Sequence, residues 1–211
     1  MSILSTFLDI FFNLLYNQYA RLYDWVAAIV SVGRWNRWVD AVIPDLDGPR
    51  ILELGHGPGH LQLTLARSGY YIIGLDSSLQ MGRLAYYRIA KSGFSPKLVR
   101  GISQQLPFPA DKFDQVVSTF PSKYIFDATT LSGIYRVLLP GGKLVVLPVA
   151  WIDRERFFDR LAAWLFNFTR QAPKWKATLA EPFIAAGFQI KIDQRRLASS
   201  EVLIIIATKP S

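Results

Sequence analysis

The chain has no cysteine and only two histidines, His56 and His60. The first absence excludes a disulfide framework, thiolate-bound zinc and a cysteine nucleophile. The second argues against a histidine-rich metal centre, so no metal is expected. No stretch reaches the roughly 18 uncharged apolar residues that a membrane-spanning helix needs. The most apolar run, Val202-Leu203-Ile204-Ile205-Ile206-Ala207, is far too short and reads as a buried strand. The apolar N-terminus lacks a basic n-region and a small-residue cleavage site, so a signal peptide is not expected. There is no internal repeat and no low-complexity segment. Together these absences fit a cytoplasmic protein.

What is present is hydrophobic and basic. Hydrophobic residues make up 51% of the 211, enough for a sizeable core, and one domain spanning 1–211 is expected. The net charge of +8 suits nucleic acid or an anionic membrane surface. The basic residues are scattered, with a modest cluster from Arg154 to Arg196, and no nucleic-acid-binding module is recognisable. No nucleic-acid partner is therefore expected. Residues 2–17 carry Ile3, Leu4, Phe7, Leu8, Phe11, Leu14 and Leu15 at helical spacing. That amphipathic face, the nearby tryptophans and the charge admit a peripheral membrane contact as a partner class.

The densest signal is Arg50-Ile51-Leu52-Glu53-Leu54-Gly55-His56-Gly57-Pro58-Gly59-His60. A short apolar strand ends in a turn with glycine at every second position, and Leu61–Arg67 then reads as a helix. Such a turn brings bare backbone and unpaired helix N–H groups up to a small polar ligand. The dinucleotide fingerprint G-x-G-x-x-G would place its third glycine on His60, so the match to a nicotinamide dehydrogenase fails. A second apolar strand, Tyr70–Leu75, ends in Asp76. An acid there can accept both hydroxyls of a ribose. Alternatively Asp76, or Ser77, caps the next helix.

Further on come Gly101-Ile102-Ser103-Gln104-Gln105-Leu106-Pro107-Phe108, then Phe113-Asp114-Gln115-Val116, then Arg136-Val137-Leu138-Leu139-Pro140-Gly141-Gly142-Lys143-Leu144. With E-x-G-x-G-x-G, these four ordered segments resemble the class I S-adenosylmethionine-dependent methyltransferases. The N-terminal Tyr16-Asn17-Gln18-Tyr19-Ala20-Arg21-Leu22-Tyr23-Asp24 is similar to the entry helix of the ubiquinone and menaquinone biosynthesis subgroup. The resemblance implies an α/β Rossmann-like fold. Its seven-stranded sheet would have an antiparallel last strand, helices on both faces and extra N-terminal helices. It divides the domain into a helical cap (1–44), a cofactor-binding core (50–149), a helical substrate-side segment (150–187) and a strand pair (188–211). Strands are expected near 50–54, 70–75, 96–101, 113–119, 142–149, 188–196 and 200–208. Helices are expected near 59–68, 77–92, 127–139 and 174–186, with others before Pro44 and over 153–168.

The same resemblance implies S-adenosylmethionine as cofactor, contacted by Glu53, Gly55, His56, Gly57, Gly59, Asp76, Ser77, Ser103, Gln104, Thr119, Tyr16 and Tyr23. The two tyrosines equally suit a packing stripe. The family usually has an acid where this chain has Ile102, which cannot accept from the adenine amino group. A backbone carbonyl, Gln104 or apolar contact must serve instead. Methyl transfer is an in-line displacement that mainly requires alignment and exclusion of water, and a base is optional. Ser118, Thr119, Phe120 and Pro121 should border the methyl group. His56 and Tyr124 are the candidate catalytic side chains, whereas His60 reads as a helix-start residue. The wide apolar first helix and the aromatics Trp151, Phe157, Phe158, Trp164, Phe166 and Phe168 suit a small hydrophobic acceptor, quinone- or lipid-like. The alternative is a membrane-surface or scaffold protein on the same fold with little catalysis.

Overall fold

The computed structural model describes residues 31, 33–152 and 179–211. Expectations for 1–30 and 153–178, including Tyr16, Tyr23 and the aromatics from Phe157 to Phe168, fall outside the described residues. Seven strands form one sheet: β1 Arg50–Leu54, β2 Tyr71–Asp76, β3 Leu98–Arg100, β4 Phe113–Thr119, β5 Leu138–Ile152, β6 Gln189–Leu197 and β7 Ser200–Thr208. Their order is β3-β2-β1-β4-β5-β7-β6. β7 runs antiparallel to both β5 and β6, while the pairs β1–β2, β1–β4, β2–β3 and β4–β5 are parallel. Among the described residues five α-helices accompany them: α1 Trp35–Asp40, α2 His60–Arg67, α3 Leu79–Lys91, α4 Ala128–Val137 and α5 Glu181–Ala185.

The central strands are buried on both faces, which is why they read as apolar runs without alternation. Ile51, Ile72, Val117, Val145 and Ile204 face α1 and α2, together with Trp38, Leu61 and Leu65. Leu52, Leu54, Val116, Leu144 and Ile205 face the other layer, with Leu131, Ile134 and Phe183 of α4 and α5. Trp38 is fully buried, and its indole N–H donates to Ser200 Oγ at 2.8 Å, so α1 is tied to the start of β7 without stranding a polar atom.

Four expectations change. α3 begins at Leu79, and its N-cap is Ser78, whose hydroxyl accepts from Met81 N at 3.3 Å; neither Asp76 nor Ser77 caps it. Asp76 Oδ1 instead accepts from Ser78 N at 2.8 Å, delaying the helix by one small turn. The helix expected to Leu139 ends at Val137, because Leu138 already pairs with Phe113 of β4. Gln115 then pairs with Lys143, so Pro140-Gly141-Gly142 loops out as a bulge, with Gly141 at φ 74°. A Cβ on Gly142 would lie 2.8 Å from the Leu139 carbonyl oxygen. The strand expected over 96–101 shortens to Leu98–Arg100, and the helix expected from 174 is described only as Glu181–Ala185.

Candidate active site

Strand order reverses between β1 and β4, and the crevice at the carboxyl ends of these strands is where open α/β sheets bind ligands. Leu54, Asp76 and Thr119 end β1, β2 and β4 there. The turn from Gly55 to Gly59 crosses this edge, closed by a hydrogen bond from Gly59 N to His56 O at 3.0 Å. Arg88 of α3 donates to the Pro58 carbonyl and holds the turn from outside.

The three glycines all have positive φ, 70° at Gly55, 51° at Gly57 and 83° at Gly59, but serve different ends. A Cβ on Gly55 would lie 2.6 Å from the Tyr124 hydroxyl. One on Gly59 would lie 2.8 Å from Ala85 Cβ and 3.0 Å from Ala85 Cα, so Gly59 lets α2 start against α3. Of the three, only Gly57 would carry a Cβ that meets nothing within 4 Å among the described residues. At Gly55 and Gly59 the space a Cβ would need is already taken by Tyr124 and Ala85, so packing as well as backbone conformation requires glycine there.

Beside Gly57 lies Asp76, which is 6% exposed. Its Oδ2 accepts from Gly57 N at 2.9 Å and its Oδ1 from Ser78 N at 2.8 Å. Each oxygen takes one protein donor, leaving acceptor capacity for a further hydroxyl. Glu53 is buried beneath the turn and accepts from Gln62 Nε2 at 2.8 Å. Burial pushes its carboxyl up to about 8, opposed by the Gln62 hydrogen bond and reinforced by the charge of Asp76. At neutral pH it is therefore held largely as a neutral acid.

His56 is also buried, and its Cδ2 would be 2.8 Å from a Cβ on Gly74 of β2. Its Nδ1 lies 2.7 Å from the Gly57 carbonyl, an acceptor only, so the ring carries its proton on Nδ1. Desolvation lowers its pKa, with Asp76 acting in the opposite sense. The ring buttresses the turn against β2. Tyr124, in the short 3₁₀ turn Lys123–Phe126, stands on the other side. Its hydroxyl lies 2.9 Å from Ser118 Oγ and donates toward Leu54 O at 3.2 Å, while Ser118 donates to Leu54 O at 2.8 Å. Phenol, hydroxyl and carbonyl thus converge at the reversal point itself. Phe120, just past β4, takes φ 49° and stacks on Trp35 with centroids 4.5 Å apart. A bulky side chain at positive φ is a strained arrangement that its surroundings must hold in place.

The remaining expected residues spread around this edge. Ser103 is buried, Gln104 and Thr119 half-buried, and Ser77 exposed with its carbonyl accepting from Arg100 Nε at 3.2 Å. Ile102 is 48% exposed, and its carbonyl accepts from Gln105 N at 3.1 Å. His60 opens α2 close to Asp40, whose carboxyl is raised by burial and lowered by Thr64 and His60. Gln62 and Gly74 escape the sequence reading. A glycine inside Ile72-Ile73-Gly74-Leu75 is the usual mark of a close approach, here by His56. A glutamine beside Leu61 on a buried helix face needs an internal partner, here Glu53.

Residues 51–142 match the family described as "Methyltransferase domain". The chain is 32% identical over 168 residues to the ubiquinone/menaquinone biosynthesis C-methyltransferase UbiE of Geobacter sulfurreducens, covering 75% of this chain and 64% of that one. It is 30% identical to the demethylmenaquinone methyltransferase of Lactiplantibacillus plantarum, covering 80% and 74%. It thus spans less than two thirds of the length of several such relatives. Among solved structures, the PH0226 protein of Pyrococcus horikoshii superposes with a TM-score of 0.63 at 17% identity, covering 93% of this chain and all of that one, a likeness of fold.

Proposed function

The chain belongs to the class I methyltransferase family that includes the ubiquinone and menaquinone C-methyltransferases, and from that premise we propose that it transfers a methyl group from S-adenosylmethionine to a small hydrophobic acceptor of quinone-like chemistry. The observation that carries this reading is the pairing of an open Gly57 with a buried Asp76 at the strand-order reversal. A backbone turn with free space beside a carboxyl group suits a polar ligand bearing vicinal hydroxyls.

S-adenosylmethionine, when bound, supplies an electrophilic methyl group on a positively charged sulfur. The chain has to bind, orient and dry that centre. Asp76 offers acceptors for ribose hydroxyls, and the Gly55–Gly59 backbone offers close approach. Tyr124, Ser118 and the Leu54 carbonyl place oxygen atoms at the reversal point, where partial negative charge favours a cation. His56 and Glu53 act on the turn from beneath. Among the described residues no side chain at this edge is built as a strong base, which fits an acceptor that is already nucleophilic or acidic. The donor and acceptor then react through alignment.

Isothermal titration with S-adenosylmethionine and S-adenosylhomocysteine tests this. The wild-type chain should bind both. Gly57→Val should lose binding by tenfold or more, which at about 1.4 kcal/mol per decade is one side chain's worth of obstruction. Asp76→Ala should do the same, with the melting temperature recorded because Asp76 also accepts two backbone N–H groups. Absence of heat with either ligand in the wild-type protein overturns the reading.

A further inference from the structure

Two distributions coincide on the α3–β3 flank of the sheet. The first is charge. From Ser77 to Ala110 there is no aspartate or glutamate, while Arg83, Arg88, Lys91, Lys97 and Arg100 all fall within it. Arg83, Lys91, Lys97 and Arg100 are exposed, and among the described residues none of these four pairs with a carboxylate. The second is apolar exposure. Six large hydrophobic side chains are exposed among the described residues, and five of them, Tyr71, Leu79, Tyr86, Tyr87 and Ile102, lie on this flank. Tyr87 is 72% exposed and Tyr86 54%, edge-to-face at 6.1 Å. Lys97 sits over the Tyr71 ring at 4.7 Å. On α3 the exposed positions Leu79, Arg83, Tyr86, Tyr87 and Lys91 recur at helical spacing, so they form one stripe.

We propose that this stripe, with Lys97 and Arg100 beside it, is a docking surface for an anionic lipid bilayer. Cations without acids attract a negative surface, and tyrosines mixed with basic residues are the composition that settles at the headgroup level. A nucleic acid would use the cations and could stack on the tyrosines. It would gain nothing from Leu79, and a convex helix face offers no groove to track a single strand. Leu79 begins α3 immediately after the Asp76 turn, so a bilayer against the stripe lies beside the carboxyl edge of the sheet. Docking is separate from methyl transfer and would stand if the acceptor reading failed.

Co-sedimentation of the full chain with vesicles tests it, comparing pure phosphatidylcholine with phosphatidylcholine containing phosphatidylglycerol. Binding should require the anionic lipid and weaken with salt. Arg83→Glu/Lys91→Glu should lower the partition coefficient by roughly tenfold or more. Lys112→Glu/Lys191→Glu, an equal change in net charge at exposed positions elsewhere, should lower it far less. Tyr86→Ser/Tyr87→Ser should weaken binding several-fold even at high salt, where the charge contribution is screened. Circular dichroism should show all three variants folded. Equal loss in both charge-reversal pairs would reduce the effect to net charge and overturn the proposal. So would undiminished vesicle binding in the α3 variants, or an α3-dependent affinity for single-stranded oligonucleotide with none for vesicles.

Discussion

The turn at the carboxyl edge and the stripe on α3 are neighbours built on opposite principles. In the turn every polar or strained group has a named partner: Glu53 with Gln62, Asp76 with Gly57 and Ser78, Gly55 with Tyr124, Gly59 with Ala85. In the stripe the cations Arg83 and Lys91 meet no carboxylate among the described residues, and the property lies in the charge that is missing from Ser77 to Ala110. A site assembled from specific contacts should fail at single substitutions. A surface defined by a sum should fail only by degrees. The difference separates geometry from composition within one short stretch of chain.

The largest expected effects are at Gly55 and Gly59. Alanine at either position adds left-handed strain of about 1–2 kcal/mol and a close contact costing roughly 1–3 kcal/mol more. Chemical denaturation should show the sum. At Gly57, where a Cβ meets none of the described residues within 4 Å, alanine should cost only the strain. Tyr124→Phe removes the atom that Gly55→Ala would strike, so the double variant should recover part of the loss. If Gly55→Ala and Gly57→Ala destabilise equally, the division of labour among the glycines is wrong, and the turn has no specific partners to contrast with the stripe.

Sequence reading reaches the strands and the position of the turn, because parallel strands buried on both faces and glycine-rich turns leave local marks, and the family resemblance supplies the antiparallel last strand. It does not reach what the glycines face. Tyr124 is far along the chain from Gly55, and no spacing rule links them; the contact exists only once β1 and β4 are adjacent. The same holds for Trp38 and Ser200, joined across the sheet. Boundaries shift where a side chain competes locally with the helix, as Asp76 does by accepting from Ser78 N. The α3 stripe is different again. Its lack of acids is written openly in the sequence, but its meaning depends on Tyr86 and Tyr87 pointing outward, which burial alone decides.

A middle-sized effect follows from Glu53 and bears on the buried side of the comparison. Its folded-state carboxyl is raised from 4.5 to about 8, so across that interval the folded chain holds a proton the unfolded chain has released. Stability therefore falls as pH rises through the interval, and the penalty is complete above it. His56 works in the other direction. Lowered by burial, it costs stability only as pH drops below its ordinary 6.5. Between neutrality and about 8 the Glu53 contribution stands clear, and Glu53→Gln should flatten the decline in melting temperature there while keeping a partner for Gln62. An unchanged slope would mean that Glu53 is ionised in the folded protein and that the turn does not isolate its acids from water.

The smallest effect belongs to the surface. Tyr87→Ser alone removes one exposed ring among several and breaks no hydrogen bond among the described residues, so its melting temperature should match wild type. Its vesicle partition should fall about two- to threefold, well under one decade, since a partly inserted tyrosine contributes only a fraction of the energy of a fully buried one. Single Arg83→Gln should behave likewise, and the two losses should multiply when combined, because contributions to an extended surface add in free energy. A single tyrosine whose removal abolished binding would instead indicate a pocket with one anchor, and the flank would then be governed by the same contact-by-contact logic as the turn.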